Sequence, residues 1–301
     1  MKYTKPAIPI EQQIAELKSK GLVINNDAYV ENFLKRISYY RLRAYTYPFQ
    51  DNSNSKHNFI TQVSFEEIVS LYSFDREIRM LIFDAIERIE IALRTQIIYQ
   101  FAISFGSHWQ TDPTIYNDTA LFSKHLGELQ KEIDRSHETF LKHYKEKYTS
   151  PSQPPSWMSL EVASMGTLSK IYKNLKLGKE KEAVASSFGL PEVDILENWM
   201  FCFSSLRNIC AHHGRLWNRR MSAHIKLSYN TEQPFFNKKE IKRIYNNKLY
   251  AVVCATQYML NQIEPENNFK FKLKELMERI PLGQEKEMGF VPNWREHPFW
   301  S

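Results

Sequence analysis

Arg207, Asn208 and His212 combine three groups suited to phosphate chemistry at the end of a strongly apolar segment. The surrounding residues 198–231 contain no aspartate or glutamate, but they carry five lysines or arginines and three histidines. A permanent cation beside a group that titrates near neutrality can bind a phosphate and move a proton. This composition favours cleavage of a phosphodiester over other reactions.

The spacing of these residues limits how they can act together. Asn208 and His212 are four residues apart and share one face of an ideal helix, whereas Arg207 and His212 are five apart. Five residues turn Arg207 by about 140° away from His212. Three arrangements would still bring both to one ligand: a distorted helix end, the long reach of arginine, or two copies of the motif meeting across a two-fold axis. The third arrangement builds one composite site from two half-sites.

The reaction that these groups could perform is RNA cleavage without a metal or other cofactor. A histidine takes the proton from a ribose 2′-OH, which attacks the adjacent phosphorus. A second acid, such as the histidine of a second copy, protonates the departing 5′ oxygen. Arg207 neutralises the charge that grows on the phosphorane oxygens. DNA lacks the attacking hydroxyl, so this mechanism predicts activity on RNA alone.

The same residues also have structural interpretations. Short motifs such as Arg-x4-His arise often by chance, and a histidine in the last helical turn interacts favourably with the helix dipole. Cys210, His212, His213 and His224 could suggest zinc, but their spacing matches no common tetrahedral site, so no metal is predicted.

A basic strip follows the motif. Arg215, Trp217, Arg219 and Arg220 alternate cations with an aromatic ring, and Lys226 extends the charge. This pattern suits phosphate and base contacts, and we predict RNA contacts at Trp217, Arg219, Arg220 and Lys226. Alternatively, the strip is a solvated turn in which Trp217 closes the core.

Composition narrows the class of protein. The 301 residues carry a net charge of +6, which permits nucleic-acid binding without demonstrating it. Three cysteines without CxxC spacing indicate a reducing compartment. The N-terminal segment lacks the apolar core of a signal peptide, and no apolar run approaches the roughly 18 residues that span a bilayer. We therefore expect a soluble, cytoplasmic protein without membrane association.

The pattern of apolar residues predicts an all-α fold. Glycine is scarce (9 residues), and Leu, Ile, Glu, Lys and Arg recur at helical spacing. Segments 105–126 and 281–301 are expected to be turn-rich and irregular. The predicted helices cover residues 9–20, 26–47, 65–104, 131–148, 157–176, 179–188, 192–213, 238–263 and 270–280.

Two of these helices should position the motif. Helix 192–213 carries it, and Gly214 should adopt the left-handed conformation that ends the helix. Helix 65–104 shows the clearest apolar stripe in the chain. Its Asp84–Arg88 and Glu90–Arg94 pairs at i,i+4 are expected to be solvated, although a carboxylate there could instead orient Arg207 or His212.

Three segments, taken in order, resemble one family. They are ISYYRLRAYTYPF (37–49), FDREIRMLIFDAIERIEIALRTQIIY (74–99) and RNICAHHGRLWNR (207–219). The last is similar to the Arg-Asn-x3-His signature of the HEPN superfamily. Together they resemble the abortive-infection (Abi) proteins of the AbiD/AbiF type, over roughly residues 10–260.

The resemblance implies a fold, a role and a site. It implies a HEPN-like helical bundle, defence of bacteria against phage, and a dimeric RNase site in which Arg207 and His212 are the catalytic pair. Asn208 matches the polar residue after the arginine, and His213, Arg215 and Asn218 match supporting positions. The chain has one such motif, so a complete site requires a homodimer, and a toxic RNase requires restraint by an antitoxin protein or RNA.

We accordingly expect an N-terminal helical extension over 1–55, a HEPN-like core over 56–265, and a C-terminal helix with an irregular tail over 266–301. Two other functions remain open. The chain could be a non-catalytic protein that forms a complex with a small non-coding RNA through the basic residues of segment 206–248. It could also be a protein-binding helical module whose arginine and histidine are structural.

Overall fold

The structure, a computed structural model, describes residues 2 and 6–301, and for Leu282 the backbone alone. Within these residues the fold is all-helical, which confirms the predicted class. No strand forms in the described part of the chain, where β pairing is limited to three isolated bridges. The prediction about a signal peptide, and the start of the expected N-terminal extension, fall partly on residues 1 and 3–5, outside the described residues.

Most helices are joined by short connections, whereas residues 212–237 form a long one without helix. The 3-10 helices are Tyr47–Phe49, Trp109–Thr111, Pro113–Ile115, Pro281–Met288, Trp294–Glu296 and Pro298–Trp300. The α-helices are α1 Ile10–Ser19, α2 Asp27–Arg36, α3 Tyr39–Thr46, α4 Phe65–Phe105, α5 Thr119–Arg135, α6 Thr139–Lys147, α7 Ser156–Ser159, α8 Met165–Asn174, α9 Lys179–Ser186, α10 Val193–Ala211, α11 Lys238–Ile241, α12 Leu249–Ile263 and α13 Phe269–Glu278.

Four predicted helices are in fact broken, and in two of them a serine side chain caps a new helix inside the apolar pattern. The Ser38 hydroxyl accepts from the backbone N–H of Arg41 and starts α3, which divides the predicted helix 26–47. Ser164 caps α8 in the same way and divides 157–176. Residues 131–148 are divided between α5 and α6, and 238–263 between α11 and α12.

Two other segments were predicted as less regular than they are. Helix α5 begins inside the segment expected to be turn-rich, where the Asp118 carboxylate accepts from the N–H groups of Ala120 and Leu121. The tail expected to be irregular contains three 3-10 helices and buries Trp294 and Trp300. Burying aromatic rings of this size stabilises the tail by about 1.5–3 kcal/mol per side chain.

The chain divides into two compact units. The first comprises Met1–Ile78 and Glu275–Glu285. Helices α1 and α2 pack together in it around Leu17, Val30 and other apolar side chains. The Tyr45 hydroxyl donates a hydrogen bond of 2.6 Å to the buried carboxylate of Asp75.

The second unit comprises Arg79–Lys274 and Lys286–Ser301 and contains the motif. Helix α10 packs there against α8, α9 and α12. The apolar stripe of α4 is buried as predicted, apart from the partly exposed Leu81. The predicted apolar face of α10 is buried throughout, at Ile195, Leu196, Trp199, Phe203, Leu206 and Cys210. This face fixes the rotation of α10 and therefore the directions in which the motif residues point.

Candidate functional site

Helix α10 carries the motif in its last two turns. The helix is regular through Ala211, so Arg207 keeps its five-residue offset from His212, which occupies the C-cap. A distorted helix end, one of the three predicted arrangements, is therefore excluded. No hydrogen bond joins Arg207 to His212 in the described structure, and the Arg207 guanidinium lies over the Phe83 ring.

The helix ends in a Schellman motif. The N–H of Gly214 donates to the carbonyl of Ile209 (2.7 Å), and the N–H of His213 donates to that of Cys210 (3.0 Å). His213, with φ 56°, is the left-handed residue. The prediction that Gly214 would take this conformation was wrong. Gly214 lies close to Ile209 instead: a Cβ there would lie 3.0 Å from Ile209 Cγ2 and 3.1 Å from its carbonyl oxygen, a tight contact that Ile209 would have to relieve by shifting.

A histidine in the left-handed region is a strained residue at the motif. The conformation costs an L-residue with a Cβ about 1–2 kcal/mol. Such strain is concentrated at functional sites. Here it turns the chain sharply after His212 and leaves both histidines exposed.

The His212 imidazole is open to solvent. Its backbone N–H donates to the Asn208 carbonyl (3.0 Å), which holds the residue against the helix end. No described side chain forms a hydrogen bond with the ring. A substrate could therefore reach both ring nitrogens.

Arg207 is half-buried and lies against helix α4 through an aromatic ring. Its guanidinium carbon is 5.8 Å from the centre of the Phe83 ring, a cation–π contact. None of the described carboxylates forms an ion pair with Arg207. The α4 carboxylates that could have oriented it pair with their own helix instead: Asp84 with Arg88 (2.7 Å) and Glu90 with Arg94 (2.9 Å). The full charge of Arg207 is thus available to an anion.

The turn after α10 separates the other predicted residues. Arg220 is exposed, while Arg215 and Arg219 are half-buried, and Arg219 Nη1 donates to the Arg215 carbonyl (3.3 Å). Asn218 is half-buried, and its Oδ1 has no hydrogen-bond partner in the described structure. Trp217 is 0% exposed. Its ring closes the core and cannot stack on a base, so the prediction of an RNA contact at Trp217 is corrected to the structural alternative.

Lys226 lies where the loop returns along α10. Its Nζ is 2.8 Å from the Asp194 carboxylate, and this hydrogen-bonded ion pair raises the pKa of the lysine. Asn198 and Trp199 donate to the carbonyls of His224 (3.1 Å) and Lys226 (2.6 Å) and anchor the loop. The pair with Asp194 reduces the attraction of Lys226 for RNA.

An open cavity of about 640 Å³ begins at Asn208 and lies between α5, α8 and α10. Sequence reasoning missed it, although α10 carries a stripe of non-core residues that leads to the motif: Phe201, Ser204, Ser205 and Asn208. Lysines and arginines also line it, but Lys170 pairs with Glu128 (2.8 Å) and Arg135 approaches Glu132 (3.6 Å).

The described structure brings together no group of residues suited to metal binding or to thiol chemistry. No group of three His, Cys, Asp or Glu residues is arranged there to hold a metal ion. Cys202, Cys210 and Cys254 are buried and form no disulfide, and burial raises the pKa of the Cys202 thiol to about 12. None of the described helices is long and apolar enough to cross a membrane.

Comparison with known proteins gives one match. The model of a protein family described as Abi-like protein matches residues 32–218. This range is more than half of the chain, and it includes segments 37–49 and 74–99 and the motif at the end of α10. No curated protein and no solved structure matches significantly.

Proposed function

The chain belongs to the Abi-like protein family, and on that premise we propose that it is a metal-independent ribonuclease of the HEPN superfamily. Membership supports a role in phage defence by abortive infection. Within the family we place the chain with the AbiD/AbiF type. One observation carries the ribonuclease proposal: α10 ends with an exposed His212 and, one turn earlier, an arginine that no described carboxylate neutralises.

The proposed reaction is an internal transesterification. His212 accepts the proton of a ribose 2′-OH, and the oxygen bonds to the adjacent phosphorus. The bond from phosphorus to the 5′ oxygen breaks, and His212 of a second copy supplies the proton to that oxygen. The products are a 2′,3′-cyclic phosphate and a 5′-hydroxyl. Arg207 lies close to Phe83, away from neutralising anions, and stabilises the phosphorane charge.

The regularity of α10, together with the contact of Arg207 with Phe83, supports a homodimer over a site built within one chain. Because Arg207 and His212 point in different directions, one chain offers an incomplete site, and two chains related by a two-fold axis supply both groups. His213, Arg215 and Asn218 shape the turn, while Arg219 and Arg220 hold the flanking phosphates. Such an enzyme must be kept inactive before infection, and we propose an inhibitory protein or RNA as the restraint.

The experiment that tests the proposal compares single variants on labelled single-stranded RNA. We expect His212→Ala to abolish cleavage, and Arg207→Ala to lower both the rate and the affinity. His224→Ala is the matched control, because His224 is also exposed and its described hydrogen bond uses only its backbone carbonyl. Cleavage by folded His212→Ala at the wild-type rate would remove this histidine from the mechanism.

One observation favours a second function, RNA binding without catalysis. Catalytic histidines are usually oriented by a hydrogen bond from a third group, and His212 has no such bond in the described structure. The chain would then hold a small non-coding RNA on its basic surface. RNA affinity that falls steeply with salt, together with intact RNA after prolonged incubation, would select this function.

A further inference from the structure

Helix α3 presents two exposed tyrosines on one side. Tyr40 is 83% exposed and Tyr47 is 47% exposed, although most large apolar side chains of the first unit are buried. Seven residues separate them, which is two helical turns, or a rise of about 10 Å along the axis. Tyr47 follows the last residue of α3 and keeps a helical backbone (φ −50°, ψ −41°), so the rise and direction continue to it.

Arg43 lies between these tyrosines on the same side of the helix and is held in place. Its Nη2 donates to Nε2 of His57 (3.3 Å), and His57 Nδ1 donates to Oδ1 of Asn52 (3.1 Å). The Asn52 amide in turn donates to the carbonyl of Tyr47 (2.8 Å). His57 adopts a left-handed conformation, φ 54°, to take part.

The charge around the tyrosines is positive. Residues 32–65 contain five lysines or arginines and a single acidic residue, Asp51, and of these cations Lys35 pairs with Glu31 (2.6 Å). No described carboxylate forms an ion pair with Arg43. The Asp51 carboxylate instead accepts hydrogen bonds from Ser53 (2.6 Å) and Asn54 (2.5 Å) within its own loop. A polyanion would therefore meet an uncompensated guanidinium between two accessible rings.

We propose that Tyr40, Arg43 and Tyr47 form a binding site for single-stranded RNA, with bases stacked on the two rings and a phosphate held by Arg43. Aromatic rings beside fixed cations are the usual platform for unpaired nucleic acid. The two residues are about 10 Å apart along the helix axis on one side, so a single strand can contact both rings. The choice of RNA as the ligand rests on the proposed function, but the surface lies in the first unit and contains no part of the α10 motif.

A comparison of two tyrosines in α3 supports this assignment. Tyr45 is buried, and its hydroxyl is bonded to Asp75. Tyr40 has neither burial nor a described partner, so the fold itself gives no reason for an aromatic ring there. The network of Asn52 and His57 fixes Arg43 before any ligand arrives, which lowers the entropy lost on binding.

The test measures the binding of fluorescent oligoadenylate to full-length protein carrying His212→Ala, so that no RNA is cleaved. Adding Tyr40→Ala and Tyr47→Ala together should raise Kd by roughly 30-fold, since each stacked base contributes on the order of 1 kcal/mol or more. The ring-preserving pair Tyr40→Phe and Tyr47→Phe should bind like the parent. Tyr99→Ala, which removes a ring 58% exposed on α4, is the matched control and should also leave Kd unchanged.

Two further readouts separate stacking from charge. Arg43→Gln should reduce the slope of log Kd against log salt by about 0.7, the value for one lost phosphate contact to a single strand. Cross-linking with 5-iodouridine RNA should label peptides that contain Tyr40 or Tyr47. An unchanged Kd for the double alanine variant, or labelling confined to other peptides, would overturn the proposal and leave the tyrosines to a protein partner.

The outcomes for this surface and for the ribonuclease are distinguishable. Cleavage by the wild type, combined with full RNA affinity of the double alanine variant, would refute the surface alone. Loss of affinity in that variant, combined with no cleavage by the wild type, would refute the ribonuclease alone. Absence of RNA binding by the His212→Ala parent would overturn the surface directly.

Discussion

Replacing His213 by glycine should stabilise the protein relative to replacing it by alanine. Both changes remove the imidazole and every interaction that it makes, so the comparison isolates the backbone. At φ 56° the alanine Cβ retains the left-handed strain, and glycine does not. The strain is about 1–2 kcal/mol, and the greater freedom of glycine in the unfolded chain offsets about 0.5–1 kcal/mol of the gain. The net difference is therefore about 1 kcal/mol in favour of glycine.

Urea denaturation followed by tryptophan fluorescence would measure this difference. Five of the six tryptophans are fully buried side chains of the second unit: Trp109, Trp199, Trp217, Trp294 and Trp300. In a thermal melt, the same difference of about 1 kcal/mol would change Tm by about 2–4 °C in a domain of 150–250 residues. If alanine proved as stable as glycine, the Schellman end with His213 at its left-handed position would be wrong.

Three more perturbations test the surroundings of the site. Gly214→Ala should destabilise the protein by about 1–3 kcal/mol, because the new Cβ would crowd Ile209. A Tm equal to that of the wild type would contradict this packing. Cys202 should resist thiol reagents at pH 8 until the protein unfolds. Burial raises its pKa to about 12, so almost none of the thiol is ionised at pH 8. Rapid labelling of Cys202 in the native protein would refute its burial. Lys181→Ala should lower the free energy of unfolding by about 3–5 kcal/mol, because it removes the ammonium that lies 2.6 Å from the Glu197 carboxylate. The midpoint of denaturation measures this change. A decrease below about 1 kcal/mol would mean that the pair is solvated.

Long amphipathic helices could be predicted closely from the sequence. Helix α4 was expected over 65–104 and spans Phe65–Phe105, and α10 was expected over 192–213 and spans Val193–Ala211. Their periodic apolar residues fix both extent and orientation, because only one face of each can be buried. The sequence did not predict the break between α2 and α3 or the break before α8. At each position a single serine caps a new helix, and the apolar residues keep their helical spacing across the break.

The sequence shows which residues make up the candidate site, but it shows little of the contacts that surround them. The residue types and spacing of Arg207 and His212 are visible in the chain. The pairing of Lys226 with Asp194 is not, because it joins residues 32 positions apart that meet only after the loop folds back. The left-handed turn falls on His213 rather than on Gly214, because the hydrogen bonds that end α10 make His213 the C′ residue of the Schellman motif.

The central claim, cleavage by a 2′-OH without a metal, is tested most directly by the ends that the enzyme leaves. The measurement is mass spectrometry of the products from a defined single-stranded RNA, incubated with the wild type in EDTA beside the His212→Ala variant. We predict 2′,3′-cyclic phosphate and 5′-hydroxyl ends from the wild type alone, and no cleavage where the scissile ribose is replaced by deoxyribose. Ends bearing a 5′-phosphate, activity lost in EDTA, or equal cleavage by the variant would contradict the mechanism.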